Sequence, residues 1–425
     1  ELVHWLLKLG VKFNMSGYDD VDLRNFGGQK KKRTAFAQSD TGKQIMTAMI
    51  DAVRRKEASG MVERFSHHSF LTLRLCGNIC CGCVIRDEYS QETVELPGDA
   101  VIVATGGMHG LFGNTTGSLS NTGEVTAELF RLGVPLANGE MIQYHPTTVK
   151  CGGKRMLISE AARGEGGRLF AMKDGKQWYF MEEKYPELGN LMPRDITARE
   201  IWKVSHESEV FLDMTEISEE IISNKLSGLA DDCMTYLHKD IRKEPVSVLP
   251  GIHYFMGGIL VDEQHRTPIQ NLYAAGECCA QYHGANRLGG NSLLGALYGG
   301  RVAAKSACEQ ADVVDLSCAT QIDFPPASQI SEIKQLNKVM QETMGVVRNE
   351  NTLLNGIQTV QALTGNLPLL GMAVLKSALA RKESRGAHWR EDYPKSNDND
   401  YLKTTVARFD GKQIQISFVP VPERR

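Results

Sequence analysis

Apolar positions along this chain follow two rhythms, one near 3.6 residues and one made of short unbroken runs. Over residues 41–55, Ile45, Met49 and Val53 recur at i, i+4 and i+8, which predicts a helix with that face inward. Residues Ala100-Val101-Ile102-Val103-Ala104 are all apolar and end in Thr105-Gly106-Gly107. A short apolar run closed by glycines predicts a strand buried on both faces, as in a parallel sheet. After a Gly/Ser/Thr/Asn-rich loop, Asn121-Thr122-Gly123-Glu124 opens a helix with Val125, Leu129 and Leu132 on one face, and Gly133 stops it. From 139 to about 250 the pattern is less regular and richer in turns and charges, as expected of an inserted small domain.

The apolar strand pattern returns at Leu272-Tyr273-Ala274-Ala275 and ends in Gly276-Glu277. Residues 283–300 then carry a helix with Leu293, Ala296, Leu297 and Gly300 on one face. Residues 309–330, with Pro325-Pro326, read as a linker. Beyond it three helical patterns follow, through Ile333, Val339 and Met340, through Leu353, Ile357 and Val360, and over 369–381. Strands alternating with helices, and 41 glycines for tight turns, point to an α/β protein.

Composition narrows the function. The 425 residues hold 48 Lys+Arg and 51 Asp+Glu, a net charge of −3, so nothing marks a nucleic-acid binder. The one basic run, Lys30-Lys31-Lys32-Arg33, reads as solvated surface. No stretch reaches 18 consecutive apolar residues, the length of a membrane-spanning helix. Four of the ten cysteines crowd into Cys76, Cys80, Cys81 and Cys83 without the second pair a zinc site requires. Around Gly77-Asn78 they read as a β-hairpin carrying small buried thiols, and unpaired cysteines favour a reducing compartment.

Glycines at strand ends followed by helix N-termini suit a nucleotide cofactor, because free N–H groups converge there. Two places fit, 104–107 with 121–124 and 275–277 with 291–294. Glu277 is placed to accept from a ribose, and Ser292 and Leu293 to offer N–H groups to a flavin edge that becomes anionic on reduction. Cationic and polar residues cluster beside glycines at 143–147, 159–167, Pro193-Arg194-Asp195 with Arg199, 253–258 and Asn286-Arg287. Singly these are ordinary loop and capping residues; together they point to a pocket for a small polyanion.

In order, the chain reads VIVATGG at 101–107, TGE at 122–124, QYHPT at 143–147, SEAARGEGG at 159–167 and PRD at 193–195. HYFMGG at 253–258, LYAAGE at 272–277, HGANRLGGNSLL at 283–294 and ESRGAH at 383–388 follow. Together they resemble the succinate dehydrogenase/fumarate reductase flavoprotein family over nearly the whole chain. The resemblance implies an α/β fold: a Rossmann-type FAD-binding domain, an inserted α+β capping domain and a C-terminal helical region. The expected boundaries are 1–138 and 252–315 for the two parts of the FAD-binding domain, 139–251 for the cap, and 316–425 for the helical region and tail.

By the same resemblance, Thr105, Gly106, Gly107, Glu124, Glu277, Asn291, Ser292 and Leu293 contact FAD. His145, Ser159, His253 and Arg287 bind a dicarboxylate, Arg194 is the proton donor, and Glu160 and Arg163 form its proton relay. The implied reaction is hydride transfer between flavin N5 and fumarate or succinate, with no metal. The implied partners are the small dicarboxylate and an iron–sulfur electron-transfer subunit, in a cytoplasmic protein held at the inner face of the membrane through partner subunits.

Some positions depart from the family pattern. Glu124 stands where Asp is usual, Ser159 where Thr is usual, and Thr148 where Gly is common. No G-x-G-x-x-G follows an early strand, so the first βαβ unit is expected to lie outside the chain, which begins at Glu1. Two alternatives stay open. An L-aspartate oxidase shares most motifs, although Leu288-Gly289-Gly290-Asn291 favours the dehydrogenase/reductase branch. A catalytically dead remnant lacking the FAD pyrophosphate site is the other.

Overall fold

The computed structural model describes residues 1–18, 20–313, 322, 324 and 329–421. They form two compact units: Glu1–Phe65, Tyr144–Gly251 and Leu288–Leu294 in the first, Ser66–Gln143, Ile252–Arg287 and Gly295–Arg425 in the second. The chain passes from one to the other inside the strands Ile142–Cys151 and Leu249–Phe255 and inside the helix Asn291–Gln310.

The first unit is built on an antiparallel sheet ordered Lys176–Trp178, Arg168–Lys173, Val210–Asp213, Val246–Ser247. The pleat sends Val210 and Leu212 inward, where they meet Leu169, Ala171, Phe180, Met181, Ile201 and Ile222. Each Val, Leu or Phe so buried contributes about 1.5–3 kcal/mol. The helix expected near 41–55 spans Thr41–Ala58. Its buried residues are Ile45 and Ala48, whereas Val53 is exposed, so the inward stripe is narrower than the spacing suggested.

In the second unit Val101–Val103 pairs in parallel with Leu272–Ala274, in the register Leu272↔Val101 to Ala274↔Val103. Val103, Leu272 and Ala274 face a core that includes Leu129 and Ile259. Burial on both faces does not hold: Ile102 is 41% exposed, because this two-stranded sheet is covered on one side only among the described residues. The helix after Gly123 spans Glu124–Arg131, with Gly133 at φ +92 turning the chain away. The hairpin also forms, His68–Cys76 against Ile79–Asp87 around Gly77 at φ +59. Cys80, Cys81 and Cys83 are free thiols, but Cys76 is disulfide-bonded, against the expectation of four unpaired cysteines.

The helix Asn291–Gln310 buries a different face from the one anticipated. Gly295, Gly299, Ala303 and Ser306 are inside, while Leu293 and Leu294 are exposed. The small stripe is needed because His265 and Tyr282 lie against it: a Cβ on Gly299 would come 2.8 Å from His265 Cε1. The linker at 309–330 lies largely outside the described residues. Beyond it the three helices span Ile330–Thr343, Glu350–Val360 and Asn366–Ala380, the second opened by a capping box between Asn349 and Thr352. Helical periodicity did not announce the hairpin Lys403–Phe409/Ile414–Pro420, which turns through Asp410 and Gly411. It completes a five-stranded sheet with Leu136–Ala137, Gly258–Leu260 and Cys279–Ala280.

Candidate active site

Three of the expected residues meet directly in the first unit. Ser159 caps the short helix Glu160–Gly164, and Pro193 precedes the helix Arg194–Val204, so Glu160 and Arg194 each stand at a first helical position. Arg194 donates to Glu160 Oε2 from Nε at 3.0 Å and from Nη2 at 2.7 Å. Arg163 Nη2 donates to Oε1 at 3.2 Å, and its Nη1 to the Asn190 carbonyl at 2.6 Å. All three residues are buried. Burial alone would push the Glu160 carboxyl up, but the charges of Arg194 and Arg163, with hydrogen bonds from Arg194 and the Gly27 N–H, hold it below its ordinary value. Burial draws the Arg163 guanidinium below its ordinary value; Glu160 opposes this and Arg194 adds to it.

Glycine makes the close approach possible. A Cβ on Gly27 would fall 2.5 Å from Glu160 Oε1, and one on Gly289 would fall 2.5 Å from Oε2. The carboxylate is therefore held between two stretches of backbone that admit no side chain.

His145 and Ser159 lie in the same unit. His145 is fully buried, and its Nδ1 accepts from the Thr147 N–H at 3.2 Å. Thr147 in turn donates its hydroxyl to the Ile158 carbonyl at 2.9 Å, next to Ser159. The Ser159 oxygen accepts from the Ala161 N–H at 3.2 Å, which leaves its own O–H proton to be donated. Arg199, expected in the cationic cluster, pairs with Asp195 one turn away at 3.3 Å.

His253 and Arg287 belong to the second unit. Nδ1 of His253 meets the Thr116 hydroxyl at 2.8 Å. Arg287 is 3% exposed and lies 4.0 Å over the ring of Tyr254, the neighbour of His253 on its strand. Its Nε and Nη2 donate to Gln143 Oε1 at 3.2 and 3.0 Å. Tyr254 in turn meets His283 Nε2 at 3.2 Å. Burial and the charge of Arg287 lower His283 to about 4.

The residues expected at FAD divide between the units. Thr105, Gly106, Gly107, Glu124 and Glu277 are in the second, Asn291, Ser292 and Leu293 in the first. In the second, Gly106 takes φ +73 just past the strand, and a Cβ on Gly107 would meet Glu277 Oε1 at 2.6 Å. Glu277 Oε1 accepts the Phe255 N–H at 3.0 Å, with His109 Nε2 3.6 Å away. Thr105 and Glu124 are exposed, and Ile102 and Ala104 expose the neighbouring strand surface. Bare backbone at a parallel strand end, an anchored carboxylate and an uncovered apolar strand fit a dinucleotide, so these residues are suited to FAD.

Sequence reasoning missed several groups that shape these sites. The sequence presents Gln143 only as part of QYHPT and carries no signal for Gly27. A buried ionic network was missed too: Arg381 donates to Glu140 at 2.7 Å and to Glu383 at 2.8 Å, and Arg385 donates to Glu383 at 2.8 Å. The ESRGAH stretch was its only sequence signal.

Comparison with known proteins bears on the whole chain. The family described as FAD binding domain matches residues 1–293, and the fumarate reductase flavoprotein C-terminal family matches 363–424. The succinate dehydrogenase flavoprotein subunit of Bacillus subtilis is 35% identical over all of this chain and 83% of that protein. The L-aspartate oxidase of Pyrococcus furiosus is 32% identical over 96% of this chain and 81% of its own length. A solved E. coli quinol fumarate reductase superposes with a TM-score of 0.88 at 26% identity, covering 99% of this chain and 81% of that one. The chain belongs to the succinate dehydrogenase/fumarate reductase flavoprotein family of FAD-dependent oxidoreductases.

Proposed function

We propose that the protein interconverts fumarate and succinate, or a closely related pair of dicarboxylates, with Arg194 as the group that carries the proton. The observation that supports this most directly is the buried contact of Arg194 with Glu160, itself joined to Arg163. FAD, when bound, would supply the hydride in its reduced form and accept it in its oxidised form. In the reductive direction the alkene π bond breaks as one carbon gains that hydride and the other gains a proton from Arg194.

Carboxylate binding is assigned to His253 and Arg287, and likewise to His145 and Ser159, groups whose charge and hydrogen bonds suit an anion. A guanidinium is a weak acid, and it serves here because the carbon it protonates is strongly basic. Glu160 is ionised at rest beside it; by taking a proton from Arg163 and passing it on to Arg194, it reloads the donor and ends ionised again. The relatives described as flavoprotein subunits support an electron-transfer partner, which we take to be an iron–sulfur subunit holding the protein at a membrane. Among the described residues no helix is long and apolar enough to cross one.

The deciding assay is oxidation of reduced viologen by the flavin-loaded protein on addition of fumarate. Arg194→Gln should lower that rate by about 10²–10⁴-fold, the usual worth of a positioned proton donor. A loss below threefold would end the proton-transfer role. The similarity to L-aspartate oxidase sustains a second reading, which hydrogen peroxide release from aspartate under air would favour.

A further inference from the structure

We propose that Gln143 is a positioning residue for Arg287, setting the plane of its guanidinium and with it the affinity for a substrate carboxylate. The inference rests on the reading of Arg287 as a dicarboxylate ligand and extends it to the buried residue that holds that arginine.

Gln143 is fully buried on the strand Ile142–Cys151, and its amide grips Arg287 in both directions. Oε1 accepts from Nε and Nη2 of the guanidinium, while Nε2 donates to the Arg287 carbonyl at 2.7 Å and to Asn286 Oδ1 at 3.2 Å. One side chain thereby fixes both the backbone and the tip of the same arginine. The Tyr254 ring, 4.0 Å away, covers a face of the guanidinium plane. An arginine loses considerable rotamer freedom when it binds an anion, and here that freedom is removed in advance.

The neutral amide is the informative choice. A carboxylate at this position could still accept from the guanidinium, but it would lose the two bonds that Nε2 donates to the Arg287 carbonyl and Asn286 Oδ1, and its negative charge would cancel the charge that attracts the dianion. Glutamine orients the cation through its dipole and leaves its charge to the ligand.

The test uses the flavin-loaded enzyme, with malonate as a non-reacting dicarboxylate followed by calorimetry and with fumarate kinetics in parallel. Gln143→Glu should raise the malonate Kd and the fumarate KM tenfold or more, with kcat changed less than threefold. Gln143→Met, which removes the grip without adding charge, should raise both by about threefold to tenfold. The defect of Gln143→Glu relative to the parent should shrink as pH falls, because a protonated carboxyl replaces the amide without charge. A purely structural role would give no such pH signature. Should Gln143→Glu fail to fold, Gln143→Met and Gln143→Asn decide on the same criteria. Wild-type malonate affinity in the Gln143 variants, alongside lost affinity in Arg287→Gln, overturns the positioning role alone. Wild-type affinity in Arg287→Gln overturns the reading beneath it.

Discussion

Glu160 Oε2 accepts from both Nε and Nη2 of Arg194, while Oε1 accepts from Arg163 Nη2. The carboxylate thus joins two buried cations. Removing its charge would strand both. Glu160→Gln should lower unfolding stability by about 3–5 kcal/mol, the usual cost of breaking a buried ion pair by removing one partner. Chemical denaturation of the parent and variant checks this, and a loss below about 1 kcal/mol would show that the three charges are not held as a unit.

Gly386 sits at φ +55 with its backbone against the loop that carries Arg287. A Cβ there would fall 2.3 Å from the Ala285 carbonyl oxygen, and the Ala387 N–H donates to that same oxygen at 2.9 Å. Gly386→Ala should therefore cost about 1–3 kcal/mol of stability, from left-handed strain and the clash. It should also raise the fumarate KM by displacing Arg287. An unchanged KM in a destabilised variant would separate this loop from substrate binding.

At the proposed flavin site, Gly107 leaves room for the Glu277 carboxylate and the Phe255 ring, each under 3 Å from where a Cβ would stand. Gly107→Ala should displace Glu277 and weaken FAD binding, read as loss of bound yellow flavin after gel filtration. Glu277→Ala should do the same by removing the acceptor. Full flavin retention in both variants would place the ribose elsewhere.

Three histidines lowered by burial should make stability pH-dependent, His265 among them. His283 is lowered to about 4 by burial and by Arg287, and fully buried His388 is lowered well below its usual range by burial with Arg348, Arg381 and Arg390 around it. Both are neutral when folded but accept a proton near pH 6.5 when unfolded, so protonation favours the unfolded chain. Stability should be level above about pH 6.5 and fall as pH drops toward 4. His283→Gln should flatten part of that slope; a parent with the same thermal midpoint at pH 7.5 and 5 would contradict the assignment.

Much of this was legible in the chain itself. Short apolar runs ending in glycine located both parallel strands, and the Gly123 and Gly133 signals bounded their helix, because local backbone geometry governs those positions. The proposed site residues stood out by type and order, since Arg and His suit a dianion. Burial faces were less legible. Spacing puts Leu293, Ala296, Leu297 and Gly300 on one face, yet the side with Gly295 and Gly299 is inside, because His265 and Tyr282 leave space for nothing larger.

The sequence by itself determined the class of fold through local pattern, and through its ordered motifs the resemblance that implies FAD and a set of charged groups. Only the tertiary structure decided how those charges are held. That Glu160 lies between the backbones of Gly27 and Gly289, and that Gln143 grips Arg287, depends on segments more than a hundred residues apart. No local propensity encodes such a meeting. It follows from packing, which brings distant polar groups into one dry interior where each must find its partner.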